Sequence, residues 1–248
     1  MIDLLRSEWI KFHTVRVNFV LGSIAAAFPV IVVTLVALLT KNLGSASHDL
    51  VGVVTGTMVL TALLLGVIGA LNVTSEYSHG TIRTTFAAAP QRTNVLVAKA
   101  LVTMAGTMVF SAVVELVTLG IGSLVLNNRN ADLHIDGSDT AAMVGAIVLA
   151  GMLSLLGYGL GLIIRNSAAT VAVLVLWPLL LEGIVGAVLG VAGVDNPLPW
   201  LPYQSALRMA NPSLGDGDPT RFRAGLFLAV VVLVLVVVGI FVNDRRDA

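Results

Sequence analysis

Six long apolar segments constrain the fold of this chain more than any other feature of its sequence. A helix needs ~20 predominantly apolar residues to cross the hydrocarbon core of a bilayer, and each segment is long enough. Of the 248 residues, 57% are hydrophobic and 11% are charged, whereas about 25% are charged in ordinary soluble domains. We therefore predict an all-α integral membrane protein, a single transmembrane domain over residues 1–248. Its six predicted spans cover residues 17–40, 50–72, 102–126, 140–164, 168–192 and 223–242.

Residues 1–14 precede the first span and are too polar to cross a membrane. Ile2, Leu5, Trp9 and Phe12 recur at helical spacing, with charged and polar residues between them. This pattern predicts an amphipathic helix that lies in the membrane interface, with Trp9 at the level of the headgroups. The alternative is an ordinary juxtamembrane helix that only anchors the chain.

The helix-compatible run that contains the third span is longer than a bilayer requires. It extends over 34 residues from Thr93 to Leu126, which is roughly 50 Å at 1.5 Å per residue. The hydrocarbon core is only ~30 Å thick. We therefore expect the first two turns or more of this helix to stand outside the membrane, on the cytoplasmic side.

The outer segment 193–222 is rich in Pro, Gly and Asp, but its middle is semi-apolar and contains Trp200 and Tyr203. Two structures are compatible with this composition. The segment either re-enters the membrane before the sixth span, which a bilayer tolerates only where protein shields the backbone, or lies on the surface as a loop.

The distribution of basic residues predicts the orientation. If the N-terminus is inside, nine of the 14 Lys and Arg residues fall on inner segments and five on outer segments. Inner loops of membrane proteins carry an excess of Lys and Arg. We therefore expect both termini in the cytoplasm, which requires an even number of spans.

Several classes of function find no support in the sequence. It contains no phosphate-binding loop, no H-E-x-x-H motif and no G-x-S-x-G motif. There is no cysteine, and the four histidines are scattered over both sides of the membrane, so we predict no metal site. The net charge is zero, which gives no reason to expect nucleic acid as a partner. We predict that the chain is not itself an enzyme.

Glycine pairs at a spacing of four occur inside three of the apolar segments. They are Gly52 and Gly56, Gly157 and Gly161, and Gly186 and Gly190. Small residues at this spacing allow membrane helices to approach closely. We expect all three pairs to lie at helix contacts.

A stripe of polar residues follows one face of the third span. It is formed by Thr103, Thr107, Ser111, Glu115 and Thr118, which share a face at spacings of three and four. Such a stripe faces another helix or a water-filled path, and an acid inside a membrane usually points inward. Alternatively, the hydroxyls bond the carbonyls of their own helix and Glu115 is a packed neutral group.

Glu182 in the fifth span is the second acid inside the predicted membrane region. It follows Pro178 by four residues, and proline removes a backbone N–H and loosens a helix. Freed carbonyls and a carboxyl group favour a polar pocket here, and a simple kink at a protein–protein contact is the alternative.

The polar segment after the second span carries a motif. It contains Glu76-Tyr77-x-x-Gly80-Thr81-Ile82-Arg83-Thr84-Thr85 and continues through Pro90, Arg92 and Lys99. This motif resembles the one that follows the second span in permeases of ATP-binding-cassette transporters of the type-2 exporter superfamily. The six spans, the N-terminal interfacial helix and the outer excursion are also similar to that family.

The resemblance implies a transport function and several partners. Segment 74–99 would contain a coupling helix that docks on a separate cytoplasmic ATPase subunit, with a smaller contact at Arg165. Two copies of the ATPase would bind ATP and Mg²⁺, and this chain itself would bind no cofactor. Two permease subunits, identical or paralogous, would pair in a bacterial plasma membrane and in contact with its lipid. They would export an amphipathic or hydrophobic substrate such as a drug, an antibiotic or a lipid. The residues that this interpretation assigns to coupling are Glu76, Tyr77, Gly80, Thr81, Ile82, Arg83, Thr84, Thr85 and Arg165.

A path between two such permeases would be lined mainly by the second and fifth spans. The candidate residues of this translocation path are Thr57, Thr61, Thr107, Ser111, Glu115, Trp177 and Glu182. Two other hypotheses remain open at this point. One is a secondary transporter that uses Glu115 and Glu182 as proton sites, and the other is a membrane anchor or sensor subunit that transports nothing.

Overall fold

Each of the six apolar segments folds as a helix that is long and apolar enough to cross a membrane. The computed structural model describes residues 2–41, 46–78, 80, 92–131, 133–213 and 220–246, and contains no β-strand among them. The prediction of an all-α protein with six spans is confirmed. The spans are Arg16–Leu39, Asp49–Ser78, Thr93–Asn127, Gly137–Ile164, Ser167–Val191 and Arg221–Asn243.

An N-terminal helix, Ile2–Thr14, precedes the first span and packs against the third. The contact forms at Gly106, where an added methyl group would lie 3.0 Å from the Phe12 ring and 3.3 Å from the Trp9 ring. The lack of a side chain at Gly106 thus makes room for both aromatic rings. The predicted position of this helix in the membrane interface stays a prediction.

The second and third spans belong to helices that are longer than a bilayer requires. The helix of the second span runs over Ala46–Ser78, so Glu76 and Tyr77 form its last turn rather than part of a loop. The helix of the third span is continuous over Arg92–Asn127, which is 36 residues. Residues 74–78 and 92–99 of the predicted coupling segment are therefore helical, and they flank the connection between the two helices.

The second and fourth spans form the centre of the chain and touch at backbone level. A methyl group added to Gly157 would lie 2.1 Å from the carbonyl oxygen of Gly66, and one added to Gly69 would lie 2.0 Å from that of Ser154. Gly161 packs on Val73 in the same interface. Only glycine permits this approach, as expected for small residues at helix contacts.

The other glycine pairs do not make such contacts within the described chain. An added methyl group at Gly52, Gly56 or Gly190 would meet nothing within 4 Å, and Gly186 contacts the side chains of Leu198 and Leu201 rather than another span. Within the described chain, no close helix contact therefore forms at these pairs, because the spacing gives a helix the capacity for close approach but does not supply a partner.

The fifth span is interrupted in its middle by a wider helical turn. An α-helix over Ser167–Leu176 continues into a π-helical turn, Trp177–Leu181, and then into an α-helix over Glu182–Val191. The turn begins beside Pro178, which has no N–H to donate to the regular ladder. The Glu182 N–H instead donates to the Trp177 carbonyl, five residues earlier. The loosening predicted at Pro178 is thus a π-helical turn that redirects Glu182.

The outer segment after the fifth span is built of three short helical pieces. They are Leu198–Trp200, Pro202–Leu207 and Arg208–Ala210. Ala206 and Ala210 belong to the main hydrophobic core, and a methyl group added to Gly145 would lie 1.8 Å from the Met209 carbonyl oxygen. Since Gly145 lies eight residues into the fourth span, this contact is about 12 Å along that helix. Membrane re-entry of the segment stays a prediction.

The helix of the sixth span, Arg221–Arg246, returns to the end of the bundle where the N-terminal helix lies. The second and fourth spans are mostly buried inside the chain, whereas only 22% of the most apolar window of the first, fifth and sixth spans is buried. The exposed side chains of these three spans are largely apolar, with Phe19, Leu180 and Leu233 as examples. Their surfaces therefore suit hydrocarbon or another protein rather than water.

Candidate functional site

Four charged residues meet at the end of the second span, and we call them the ionic cluster: Glu8, Lys11, Glu76 and Lys99. Lys99 Nζ donates to Glu76 Oε1 at 2.8 Å and is ion-paired with Glu8. Lys11 Nζ donates to Glu8 Oε1 at 2.7 Å and to Glu76 Oε1 at 3.3 Å. Two acids and two bases from the N-terminal helix, the second span and the third span thus form one network.

The burial of the ionic cluster makes each partner necessary to the others. Lys99 is 1% exposed and Glu8 is 3% exposed, and ions buried this deeply need compensating charges. Burial by itself would raise the pKa of Glu8, but the Lys99 ammonium and hydrogen bonds from Lys11 and Lys99 outweigh it and hold that pKa below its usual value. Burial would lower the pKa of Lys11, but Glu8 and Glu76 raise it above its usual value. Both groups therefore stay charged over the whole neutral range.

A second group of side chains, the polar cluster, lies beside the ionic cluster and consists of Tyr77, Arg165 and Asn243. The Tyr77 hydroxyl and Arg165 Nη2 both donate to Asn243 Oδ1, and the Arg165 guanidinium lies 4.9 Å from the centre of the Tyr77 ring. Asn243 is 1% exposed. The polar cluster connects the last turns of the second, fourth and sixth spans.

Arg165 has the backbone conformation that ends the fourth span. Its φ of 56° is left-handed, and its N–H donates to the Gly161 carbonyl. The next residue, Asn166, caps the fifth span by accepting from the Ala169 N–H at 3.0 Å. Ser167 donates to the Thr74 hydroxyl at 2.9 Å and so ties this turn to the second span. The turn at 165–167 is therefore fixed to the same end of the bundle as both clusters.

The chain leaves the second span at Gly80 and returns at the start of the third. Gly80 has a φ of +69°, and its N–H donates to the Tyr77 carbonyl. A left-handed glycine of this kind is a common way to stop a helix. The predicted coupling residues Thr81, Ile82, Arg83, Thr84 and Thr85 lie outside the described residues. What the structure does describe is that Glu76 and Lys99, on either side of that segment, are joined by an ion pair.

The polar stripe of the third span faces the interior of the chain. Thr103, Thr107, Ser111, Glu115 and Thr118 are all 0% exposed. Thr107 donates to the Thr103 carbonyl and to Ser154 of the fourth span, and Thr118 donates to the Val114 carbonyl. Thr103 accepts from Asn72 of the second span at 2.7 Å. The hydroxyls thus bond both their own helix and its neighbours.

Glu115 and Ser111 differ from the rest of the stripe. Neither carboxyl oxygen of Glu115 has a hydrogen-bond partner among the described residues, and the hydroxyl group of Ser111 has none there either. Unsatisfied groups at such depth are rare and call for an internal water, a rearrangement or a ligand. These two residues, one helical turn apart, are the part of the stripe with unused capacity to bind something.

The second-span candidates for a translocation path are also enclosed. Thr61 is 0% exposed and donates to the Ala25 carbonyl of the first span at 3.0 Å, and Thr57 donates to carbonyls of its own helix. Trp177 is 44% exposed on the fifth span. In this conformation the first span therefore separates Thr61 from any partner outside the chain.

Glu182 is buried, and both of its carboxylate oxygens accept hydrogen bonds from the chain itself. Its carboxylate accepts from Trp177 Nε1 at 2.9 Å and from the backbone N–H groups of Tyr203 and Gln204, each at 2.8 Å. Those two N–H groups lie in the first turn of the helix Pro202–Leu207, whose own N-cap residue, Leu201, supplies no side-chain cap. Glu182 therefore caps that helix from the fifth span, since carboxylates bind well at helix N-termini.

Three residues of this site were not predicted from the sequence. Glu8, Lys11 and Asn243 were not singled out, although Glu8 and Lys11 stand three apart in an amphipathic helix, a spacing that favours an ion pair. No local signal indicates that Asn243 accepts from Tyr77 and Arg165, because the three residues lie far apart in the sequence. The sequence likewise contains no local signal for the backbone N–H groups that donate to Glu182.

The six spans and the buried polar groups between them define a multi-pass integral membrane protein. A family model described as ABC-2 family transporter protein matches residues 4–179. This match covers well over half of the chain, so the protein belongs to the ABC-2 transporter family, the membrane-spanning permease component of ATP-binding-cassette transporters. No curated protein matched the sequence.

Proposed function

We propose that this permease is driven by separate ATPase subunits through the connection between its second and third spans. The observation that carries this proposal is the ion pair between Glu76 and Lys99, with 2.8 Å between Nζ and Oε1. It joins the two helices at the points where the connection leaves and returns. A force applied to the connection would therefore reach both spans together.

The two clusters extend this mechanical continuity to the rest of the chain. Through Glu8 and Lys11 the ionic cluster includes the N-terminal helix, and through Arg165 and Asn243 the polar cluster includes the fourth and sixth spans. A movement of the connection would thus be transmitted to the N-terminal helix and to the nearby ends of the second, third, fourth and sixth spans. This arrangement suits a subunit that converts ATP-driven closure of its partners, which hold ATP and Mg²⁺, into rocking of its spans.

The surfaces of the chain support the rest of the proposed assembly. The first, fifth and sixth spans expose apolar side chains, and we propose that part of this surface contacts a second permease, identical or paralogous. The translocation path would run between the two, in a bacterial plasma membrane with both termini in the cytoplasm. An apolar lining favours amphipathic or hydrophobic cargo, such as a drug, an antibiotic or a lipid, and we propose export as the direction.

Co-purification tests the coupling. The permease and its cognate ATPase are expressed together, and Gly80→Pro combined with Arg83→Glu is compared with Arg223→Glu, which reverses an exposed charge outside the connection. We expect the first variant to lose association and substrate-stimulated ATPase activity, and the second to retain both. If the wild-type pair does not associate, or the connection variant behaves like wild type, the coupling proposal is wrong.

The rival hypothesis is a proton-driven secondary transporter, and the energy source of transport distinguishes it from an ATP-driven permease. Transport into inverted vesicles should require ATP and should continue after a protonophore collapses the proton gradient. Of the two acids on which the rival depends, Glu182 already accepts three hydrogen bonds from the chain. Transport that needs the gradient and no ATP would favour the rival, and an absence of any transport would favour an anchor or sensor.

A further inference from the structure

The outer half of the fifth span, Glu182–Val191, holds the outer segment along one narrow face. Its two buried residues are Glu182 and Gly186, which stand one helical turn apart. Two backbone N–H groups in the first turn of the helix Pro202–Leu207 donate to Glu182. A methyl group added to Gly186 would lie 3.0 Å from the Leu198 side chain. The contact therefore combines two hydrogen bonds with a close fit that only glycine permits.

The π-helical turn Trp177–Leu181 determines which residues lie on that face. Because the Glu182 N–H donates to a carbonyl five residues earlier, the turn contains one residue more than the same turn of an α-helix. If the turn became regular α-helix, every later residue would advance by one position. This is a rotation of about 100° and a shift of about 1.5 Å along the axis.

The regular α-helical register would place two unsuitable side chains against the outer segment. Leu181 would take the position of Glu182, and Val185 would take that of Gly186. Leu181 offers no acceptor to the two N–H groups, and a buried donor without a partner is costly. Val185 would bring a branched side chain to a place where even one methyl group lies 3.0 Å from Leu198. The outer segment cannot keep its present position in that register.

Different parts of the chain favour the two registers. The α-helical register gives the span its more usual hydrogen bonds, since π-helical turns are rare. The π-helical register is favoured by Pro178, which has no N–H for the regular ladder, and by the bonds that Glu182 accepts, one of them from Trp177 Nε1 at 2.9 Å. We propose that the fifth span is a two-state switch, in which conversion of the π-helical turn to α-helix withdraws Glu182 and releases the start of the helix Pro202–Leu207.

The switch concerns the fifth span and the beginning of the outer segment. Farther along that segment, Ala206 and Ala210 belong to the main hydrophobic core, so they would keep the segment attached to the bundle while its start moves away from the fifth span. Nothing in this change requires an ATPase. The inference therefore goes beyond the proposed function and can be tested on the permease alone.

Hydrogen exchange of the Tyr203 and Gln204 amides reports the state of the switch. The full chain is reconstituted in lipid vesicles without an ATPase, and exchange is measured by mass spectrometry with fragmentation that resolves single residues. Pro178→Ala restores an N–H to the regular ladder and should shift the fifth span toward the α-helical register. We expect both amides to exchange several-fold faster than in the wild type.

A one-residue deletion distinguishes a change of register from a general loss of stability. Deletion of Leu180 in the Pro178→Ala background removes the extra residue of the turn, so that a regular α-helix returns Glu182 to its place. We expect exchange to return to the wild-type rate. The matched control is deletion of Val188 in the same background, which shortens the span equally but beyond Glu182 and should leave exchange fast. Deletion of Leu179 replaces that of Leu180 if the latter does not give monodisperse protein.

Two results would overturn the proposal. One is unchanged exchange of the Tyr203 and Gln204 amides in Pro178→Ala, which would show that the register does not convert. The other is fast exchange in Pro178→Ala that deletion of Leu180 fails to slow, or that deletion of Val188 slows equally. Either outcome would mean that Pro178→Ala loosens the outer segment without turning the fifth span.

Discussion

Lys99 of the third span donates a hydrogen bond to Glu76 at the end of the second span, across 2.8 Å, while the side chain of Lys99 is 1% exposed. An ammonium group at this depth requires its acids, and the acids require it. The ion pair fixes the helices that flank the connection on which, in the proposed function, an ATPase would act.

The first prediction concerns the removal of that ammonium. Lys99→Met should destabilise the protein by about 3–5 kcal/mol, since it removes the buried ammonium from Glu8 and Glu76 and leaves only Lys11, which is 40% exposed, to compensate both carboxylates. Thermal unfolding in one detergent measures the change. The double variant Lys99→Met with Glu8→Gln should recover part of the loss, and a double variant less stable than Lys99→Met would contradict the explanation.

The second prediction concerns acid pH. The pKa of Glu8 is held below its usual value in the folded protein, so its contribution to stability is present above the unfolded pKa and is lost as the pH falls through the folded one. The melting temperature of the wild type should therefore fall on acidification more than that of Glu8→Gln. Equal pH profiles of the melting temperature for the two proteins would show that Glu8 does not cause the loss of stability at acid pH.

The contribution of Lys11 to stability has the opposite pH dependence to that of Glu8 and is lost at high pH. Its pKa is raised in the folded protein, so its contribution is complete below the unfolded pKa and is lost as the pH rises through the folded one. Lys11→Gln should remove this alkaline part of the profile, and its stability near neutral pH should change less than that of Lys99→Met, because Lys11 is 40% exposed.

The third prediction concerns the cap that Glu182 provides. Glu182→Gln replaces one acceptor oxygen by an NH₂ group, which leaves the Gln204 or Tyr203 N–H without a partner at a cost of about 1–3 kcal/mol. Hydrogen exchange of the amides in Pro202–Leu207 should accelerate. Trp177→Phe is the control, since it removes one donor and leaves both backbone bonds; equal protection in all three proteins would show that the cap is unimportant.

The fourth prediction concerns the contact between the second and fourth spans. Gly157→Ala should destabilise the protein by about 1–3 kcal/mol, because the new methyl group would overlap the Gly66 carbonyl oxygen. Gly120→Ala is the matched control, since nothing lies within 4 Å of an added methyl group there. Thermal unfolding of both variants measures the difference, and equal stabilities would mean that the spans separate without cost.

The fifth prediction concerns Glu115. Glu115→Gln keeps the shape of the side chain and should cost less than about 1.5 kcal/mol, whereas Glu115→Lys would bury an unpaired cation and should greatly reduce the yield of monodisperse protein. If the polar stripe lines the path, Glu115→Gln should alter transport while its melting temperature is unchanged. Unaltered transport in a stable Glu115→Gln variant would remove this residue from the path.

The parts of the fold that the sequence predicted are those that depend on composition and local spacing. Six apolar segments of sufficient length predict six spans, and Gly157 with Gly161 predicts a close helix contact, because the physical cause of each lies within a few residues. Gly52 and Gly56 show the limit of this reasoning. Their spacing is the same, but the neighbour that would use it is absent from the described structure.

The candidate site was less accessible to prediction because its partners are distant or are backbone groups. Glu76 and Lys99 were singled out through a family resemblance, and their pairing depends on how two long helices align. Glu182 was singled out as an acid of the fifth span, but two of its partners are N–H groups of residues 203 and 204. Side-chain identity carries no information about which backbone donors will be left free.

The glycine contact between the second and fourth spans has a practical consequence for measuring motion. Helices whose backbones touch have no layer of side chains over which to slide, so this pair provides a fixed internal reference frame. The natural sequence contains no cysteine, and spin labels can therefore be placed at single engineered cysteines without background. Distances from a label on this pair to labels on the first, fifth and sixth spans would report the displacement of each span separately during a transport cycle.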